Sequence, residues 1–194
     1  KIEIEKKINI SISISRILFI GSTKSGKTTT LSVLLNNTKD NGKGSSRISL
    51  FNHKHEIYSG KTSSISIRNI GYKNNKIINQ LCTTQQDLIE ISDKVISLID
   101  LPGDIKYYKT IFNKLYSFNK SHIFIIINPN KINYKIIKLY IKFCKLNNIY
   151  FCIIFTHSDI KCNYFKNILN FFKNNKKTLK KYQNNFNKNN NYYL

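Results

Sequence analysis

The chain has 194 residues, with 32 Lys and Arg against 10 Asp and Glu, a formal charge of +22 and 41% hydrophobic residues. That length suits one domain with its own core, and its apolar runs, "IFIII" (123 to 127) and "IYFCIIF" (149 to 155), fall far short of the ~20 residues that span a bilayer. A basic surface ordinarily points to a polyanionic partner, but Lys, Asn and Ile dominate the text, the signature of an AT-rich genome, and composition alone accounts for much of the charge.

Cys82, Cys144, Cys152 and Cys162 show no CxxC or CxxH spacing, and no signal peptide precedes the first strand. Reduced thiols and a cytoplasmic location, with no membrane partner, are the expectation. Methionine is absent, so the numbering is expected to begin after the initiator residue.

In "INISISISRILFI" (8 to 20), Ile8, Ile10, Ile12 and Ile14 alternate with Ser11, Ser13 and Ser15 before the text turns continuously apolar. This predicts a long strand entering a sheet interior. After a glycine-bounded loop, "KTTTLSVLLNN" (27 to 37) predicts a helix with Leu31, Leu34 and Leu35 on one face. From Thr38 to about Ser64 the text is rich in Gly, Ser, Asn and His and predicts a long loop, a feature associated with function or mobility inside a compact domain. Strands are expected over 64 to 72, 94 to 100, 121 to 128 and 149 to 155, and helices over 131 to 148 and 163 to 182. Strands alternating with helices predict an α/β fold, a mostly parallel sheet covered on both faces. One domain is expected over 1 to 182, followed by a disordered Asn-rich tail at 183 to 194.

"GSTKSGKT" (21 to 28) fits G-x-x-x-x-G-K-[ST] and lies between a predicted strand and a predicted helix, the context a phosphate-binding loop requires. Gly21 and Gly26 let the backbone of Ser22, Thr23, Lys24 and Ser25 curl its N–H groups around phosphate oxygens. The helix N-terminus at Lys27, Thr28 and Thr29 adds favourable dipole charge, and the Lys27 ammonium bridges the outer phosphates. The Thr28 hydroxyl is the expected Mg²⁺ ligand. "DLPG" (100 to 103) has the D-x-x-G form in which the acid, here Asp100, reaches Mg²⁺ through water and the Gly103 N–H contacts a γ-phosphate. The plainer reading is an Asx-Pro-Gly turn. In "FTHSD" (155 to 159), Thr156 and Asp159 fit a guanine-reading [NT]-K-x-D pattern, with His157 where Lys is usual. An Asx helix cap is the alternative there.

With three motifs in order, "KDNGKGSSRISLFNHKHEIYSGKTSSISIRNIGY" (39 to 72) and "VISLIDLPGDIKYYKTIF" (95 to 112) resemble the GTPase domain of the eukaryotic GTP-binding protein one and two family. These are translational GTPases related to elongation factor Tu and elongation factor one alpha, and the resemblance runs from about Ile14 to Asp159. It implies a P-loop NTPase G domain, GTP and GDP as ligands, and magnesium. Residues 38 to 64 become switch I, ordered by the γ-phosphate and released after hydrolysis, and 100 to 117 become switch II. Thr62 looks like the switch I threonine that closes on Mg²⁺ and the γ-phosphate. His53 and His55 have H-x-H spacing but only Glu56 beside them, and are expected to be structural.

The chain departs from the family in three places. The histidine that follows D-x-x-G and orients the attacking water is replaced by Asp104, which is shorter and anionic, so slow hydrolysis is expected. The fourth phosphate-loop position, Asp in most relatives, is Lys24; its ammonium would replace a monovalent cation, with Asp104 as counter-ion, or simply be solvated. No last guanine-contacting loop, no final strand and no β-barrel domains follow in this sequence, so tRNA delivery is not implied.

The motifs and the resemblance together imply a GTP-binding protein that binds GTP and GDP with Mg²⁺, hydrolyses GTP slowly and acts as a switch. A non-hydrolysing scaffold and a P-loop ATPase or kinase remain as alternatives. The Lys-rich surface suggests the ribosome or ribosomal RNA as a partner, and an uncovered sheet edge suggests a homodimer.

Overall fold

The computed structural model describes residues 13–36, 38–79, 84–118 and 121–157. In chain order the strands are β1 (Ser13–Ile20), β2 (Ser66–Lys73), β3 (Lys76–Ile77), β4 (Lys94–Asp100), β5 (His122–Ile127) and β6 (Phe151–Phe155). The helices are α1 (Lys27–Asn36), α2 (Lys54–Ser59), α3 (Gln85–Ile91), α4 (Tyr108–Ser117) and α5 (Tyr134–Leu146). All six strands join one sheet in the order β3-β2-β4-β1-β5-β6. The four strands β4, β1, β5 and β6 are parallel, while β2 runs antiparallel to β4 and β3 to β2. This is the expected α/β architecture with a mostly parallel sheet, to which β2 and β3 add an antiparallel edge that the sequence did not announce.

Register places the site. Phe19 pairs with Asp100 across β1 and β4, and Ile20 with Ile125 across β1 and β5, so these strands end level with one another. β4 and β5, consecutive in the chain, lie on opposite sides of β1, and such a divergence opens a crevice beyond the carboxyl ends of parallel strands. The 21 to 28 loop lies at that edge.

Alternation along the strands feeds two layers. Leu18, Ile20, Ile99, Ile123 and Ile125 pack against Ile111 and Leu115 of α4 and Ile137, Tyr140 and Ile141 of α5. On the other face, Phe19, Ile70, Leu98 and Ile126 meet Leu31 of α1 and Leu50. The caps follow local chemistry. Asn133 accepts the Ile136 N–H at the start of α5, and Thr84 and Asp87 exchange hydrogen bonds with each other's backbone at the start of α3.

Three details differ from the sequence-based expectation. Leu34 is 50% exposed, and the inner face of α1 is instead Leu31, Ser32 and the half-buried Leu35. Ser32 can be inside because its hydroxyl donates to the Ser46 carbonyl. The 38 to 64 segment contains a 3-10 turn at Ser45–Leu50 and the helix α2. Finally, Ile14 is 47% exposed, so β1 enters the interior only near Leu18. Cys144 is buried and Cys152 exposed, and neither is in a disulfide. Among the described residues no helix is long and apolar enough to cross a membrane. The expected 163 to 182 helix, the tail, Ile8, Ile10, Ile12, Cys82, Cys162 and Asp159 lie outside the described residues.

Leu31 is fully buried where α1 meets both the sheet and Leu50. Leu31→Ala is therefore expected to lower the unfolding free energy by about 3 kcal/mol, measured as a shifted urea midpoint at unchanged m-value.

Candidate functional site

The phosphate loop is built on backbone conformations that few side chains accept. Gly26 has φ 90 and Gly21 φ 153, and a Cβ on Gly21 would run into the Ile126 carbonyl. Lys24 also adopts a left-handed backbone, φ 62, which disfavours an L side chain by about 1 kcal/mol. Its side chain is exposed. Lys27 is buried, and its ammonium donates to the carbonyls of Gly21 at 3.1 Å and Ser22 at 3.0 Å. Burial pushes its pKa down, opposed by the nearby Asp100 charge.

Asp100, at the end of β4, is fully buried. Its Oδ2 accepts the Thr28 hydroxyl at 2.6 Å and the Thr62 hydroxyl at 3.4 Å, and the two threonine oxygens are 2.7 Å apart. Its Oδ1 is buried with no hydrogen-bond partner. Burial raises the Asp100 pKa, while Lys27 and the two hydroxyls act to lower it. The phosphate loop, the 38 to 64 segment and the D-x-x-G strand thus meet at one carboxylate. Its oxygen-only donor set, with one oxygen left unsatisfied, suits a hard divalent cation that keeps several ligands from water and phosphate. Among the described residues no group of three or more His, Cys, Asp and Glu side chains forms a metal site, so any ion here must draw on hydroxyls.

What holds Thr62 in place is a carboxylate the sequence reading left without a role. Glu56 is completely buried. Its Oε2 accepts the Asn52 and His53 N–H groups at 2.9 and 3.2 Å. Its Oε1 accepts the N–H and hydroxyl of both Ser63 and Ser64, at 2.6 to 3.0 Å. Burial would raise its pKa, but the Ser63 and Ser64 hydrogen bonds prevail and bring it down to about 2. A second acid, Asp40, accepts from the N–H groups of Gly42, Gly44 and Ser46 and from the Ser46 hydroxyl. His53 and His55 stack at 5.3 Å, and His55 Nε2 lies 2.7 Å from the Ser63 hydroxyl. Their arrangement is that of loop structure.

Beyond the end of β4, Gly103 presses on the phosphate loop. A Cβ there would lie 2.5 Å from the Lys27 ammonium and 2.8 Å from the Ser22 and Thr23 backbone, so only glycine fits. Asp104 follows, half-buried, and its Oδ1 accepts the Lys106 N–H at 3.3 Å as the cap of the 3-10 turn Ile105–Tyr107. No ion pair joins Asp104 to Lys24.

At the other end of the crevice, the Thr156 hydroxyl donates to the Ser25 carbonyl at 2.7 Å, and its N–H donates to the Ile127 carbonyl at 3.0 Å. Thr156 therefore ties the β6 end to the phosphate loop. His157 is exposed and left-handed, φ 55. Asn128, not anticipated from sequence, donates to the Lys24 carbonyl at 3.4 Å and accepts the Asn130 N–H at 2.9 Å. Its signal was an Asn-Pro pair at a strand end.

The phosphate loop, the 38 to 64 segment and residues 103 to 107 line a cavity of about 330 Å³, whereas Gly21, Ser22, Asp100, Asn128, Thr156 and His157 are not among its lining residues. Lys24, Lys27, Arg47, Lys61 and Lys106 line it against the single acid Asp104. Thr23, Ser25, Gly26, Thr28, Thr29, Thr62 and Gly103 complete the part foreseen from the motifs. An excess of cations over a glycine-rich loop at a helix N-terminus binds phosphate groups.

The family model described as "Elongation factor Tu GTP binding domain" matches residues 12–187. The chain belongs to that family. It is 38% identical over 117 residues to GTP-binding protein 2 of Mus musculus, covering 59% of this chain and 19% of the relative. It is 41% identical over 101 residues to GTP-binding protein 1 of Xenopus laevis, covering 49% and 15% respectively. The alignment thus spans less than a fifth of the length of either relative. The S. cerevisiae Ski7 GTPase-like domain, solved bound to GTP, shares the fold with TM-score 0.50 at 16% identity, covering 80% of this chain and 45% of that one. The chain is thus a translational GTPase-type G domain by family and by fold.

Glu56→Gln replaces acceptor capacity with an amide donor facing the Asn52 and His53 N–H groups. It is expected to lower the unfolding free energy by about 2 kcal/mol and to deprotect the 62 to 64 amides in hydrogen exchange. Because the folded pKa lies below the ordinary 4.5, the contribution of Glu56 is complete above that value and lost as pH falls toward about 2. The Gln variant should lack this acid-linked loss in a pH series of unfolding midpoints.

Proposed function

We propose that this domain binds GTP and GDP with magnesium in the cavity, hydrolyses GTP slowly, and uses residues 38 to 64 and 100 to 117 as its nucleotide-responsive segments. The observation that carries this reading is the junction of Thr28 and Thr62 on the buried Asp100, directly beneath the phosphate loop.

The chain's own groups divide the work. Lys27 would exchange the Gly21 and Ser22 carbonyls for the outer phosphates. Backbone N–H groups of the loop and of Thr62 and Gly103 would bind phosphate oxygens without any change of charge state. Thr28 and Thr62 would hold the metal ion directly, and the unsatisfied Asp100 Oδ1 would hold one of its waters. Once bound, Mg²⁺ neutralises charge on the β- and γ-phosphate oxygens. At the far end, Thr156 would support the turn and Asp159 would accept two N–H groups from the guanine edge, a pair that adenine does not offer.

Slow turnover is assigned to position 104. Asp104 uses a carboxylate oxygen to cap the Ile105–Tyr107 turn, where relatives would offer an imidazole to the attacking water. A second reading, binding without turnover, is favoured by the same residue.

Fluorescent GTP and ATP analogues separate guanine from adenine recognition: GTP should bind at least about tenfold tighter, a difference of ~1.4 kcal/mol, and Asp159→Asn should transfer the preference to xanthine nucleotides. Equal affinity for GTP and ATP overturns the base assignment. Asp104→His should raise single-turnover hydrolysis by about 100-fold or more, and a variant no faster than wild type removes Asp104 as the cause of slowness. Phosphate release by the wild type, with or without ribosomes, is the result that excludes the scaffold.

A further inference from the structure

Arg47 lies on the 3-10 turn Ser45–Leu50, inside the segment that carries Thr62, and it lines the cavity. Its guanidinium occupies a slot between two left-handed glycines, Gly44 with φ 85 and Gly60 with φ 62. A Cβ on Gly44 would run into the guanidinium, and one on Gly60 would lie 3.3 Å from Nη2. The slot exists because neither glycine has a side chain, and the half-buried arginine is held there.

The other cations of the cavity differ from it. Lys27 donates to its own loop, and the Lys106 ammonium lies 4.9 Å over the Tyr107 ring. Lys24 and Lys61 are exposed on flexible stems. The Arg47 guanidinium has no hydrogen-bond or ion-pair partner among the described residues. Its five N–H donors form a planar fork whose geometry matches pairs of phosphate oxygens. A half-buried fork set against two glycines, with free donors at a phosphate cavity, has little structural reason to be there beyond meeting an oxyanion.

We propose that Arg47 is a catalytic residue supplied from within the chain, whose guanidinium neutralises the charge that develops on the terminal phosphoryl group of GTP during hydrolysis. This rests on the reading of the cavity as a GTP site. In the step, the water oxygen bonds to the γ-phosphorus as the bond from that phosphorus to the β–γ bridging oxygen breaks. The electron pair stays on the GDP oxygen, and the water proton passes to the released phosphate. Donors that are already oriented stabilise that charge without reorganising, and an arginine in this role accounts for large factors in phosphoryl transfer. Arg47 would therefore sustain the turnover that remains with Asp104 at the water side.

The test uses the full chain as wild type, Arg47→Lys and Arg47→Ala. It measures fluorescent GDP affinity, the gain in that affinity on adding aluminium fluoride, and single-turnover GTP hydrolysis. Both variants should keep GDP affinity within about threefold, lose the aluminium fluoride gain and hydrolyse GTP at least about 100-fold more slowly. Retained GDP binding shows that the variants are folded, and failure of Lys to rescue distinguishes the planar fork from a simple positive charge. Hydrolysis by Arg47→Ala at the wild-type rate overturns the proposal while leaving the GTP reading standing. A loss of GDP affinity as large as the loss of rate also overturns it, making Arg47 a ground-state contact. A wild-type chain that binds no guanine nucleotide fails the GTP reading itself, and this proposal with it.

Discussion

A carboxylate buried at the end of a central strand is unfavourable unless hydrogen bonds and charge compensate it, and Asp100 is compensated by the elements that must come together. Thr28 belongs to the first turn of α1, Thr62 to the segment before β2, and Lys27 acts through its charge from within the phosphate loop. The antiparallel addition of β2 beside β4 sets Ser66 opposite Asp100 and so delivers Thr62 from one side. The parallel pairing of β1 sets Phe19 opposite Asp100 and delivers the loop from the other. The sheet order and the site chemistry are therefore two descriptions of one arrangement, because displacing either neighbour of β4 would leave the acid buried with fewer partners.

The parts legible in the sequence are those whose chemistry is local. Spacing within eight residues was enough to read the loop from Gly21 to Thr28, since strand, turn and helix N-terminus are contiguous there. The strand expected over 94 to 100 coincides with β4, Lys94–Asp100. The internal order of 38 to 64 was not legible, because it is held by side-chain to backbone bonds reaching from Glu56 forward to Ser63 and Ser64 and back to Asn52. Such bonds leave no periodicity. A lone acid in a polar Ser-rich stretch was the available sign, as it was for Asp40. Leu34 was misplaced for a related reason: Ser32 takes an inward position through one hydrogen bond to Ser46, which a hydrophobic pattern cannot register.

The surplus of basic residues takes on a different meaning near the cavity. Among the cavity-lining cations only some are constrained. Lys24 sits on a left-handed backbone and extends into solvent, whereas Arg47 lies in a slot that two glycines leave open. Charge count alone would rank them equally, and packing separates them. The same distinction applies to the acids: Asp104 is committed to a turn, while Asp100 keeps one oxygen unsatisfied.

Glu56 can also be regarded in polymer terms, as a reversible cross-link. By fastening Asn52 to Ser64 it closes a ring of about a dozen residues, for which the length-dependent part of the closure entropy is about 2 kcal/mol. That entropy is spent when the domain folds. Thr62 is then held in a closed ring rather than in a coil, and a ligand binding beside it would not have to spend its contact free energy on ordering the chain. The closed ring couples Thr62 mechanically to the start of α2, whose His55 and Ser59 also line the cavity, so that the two would move as one unit.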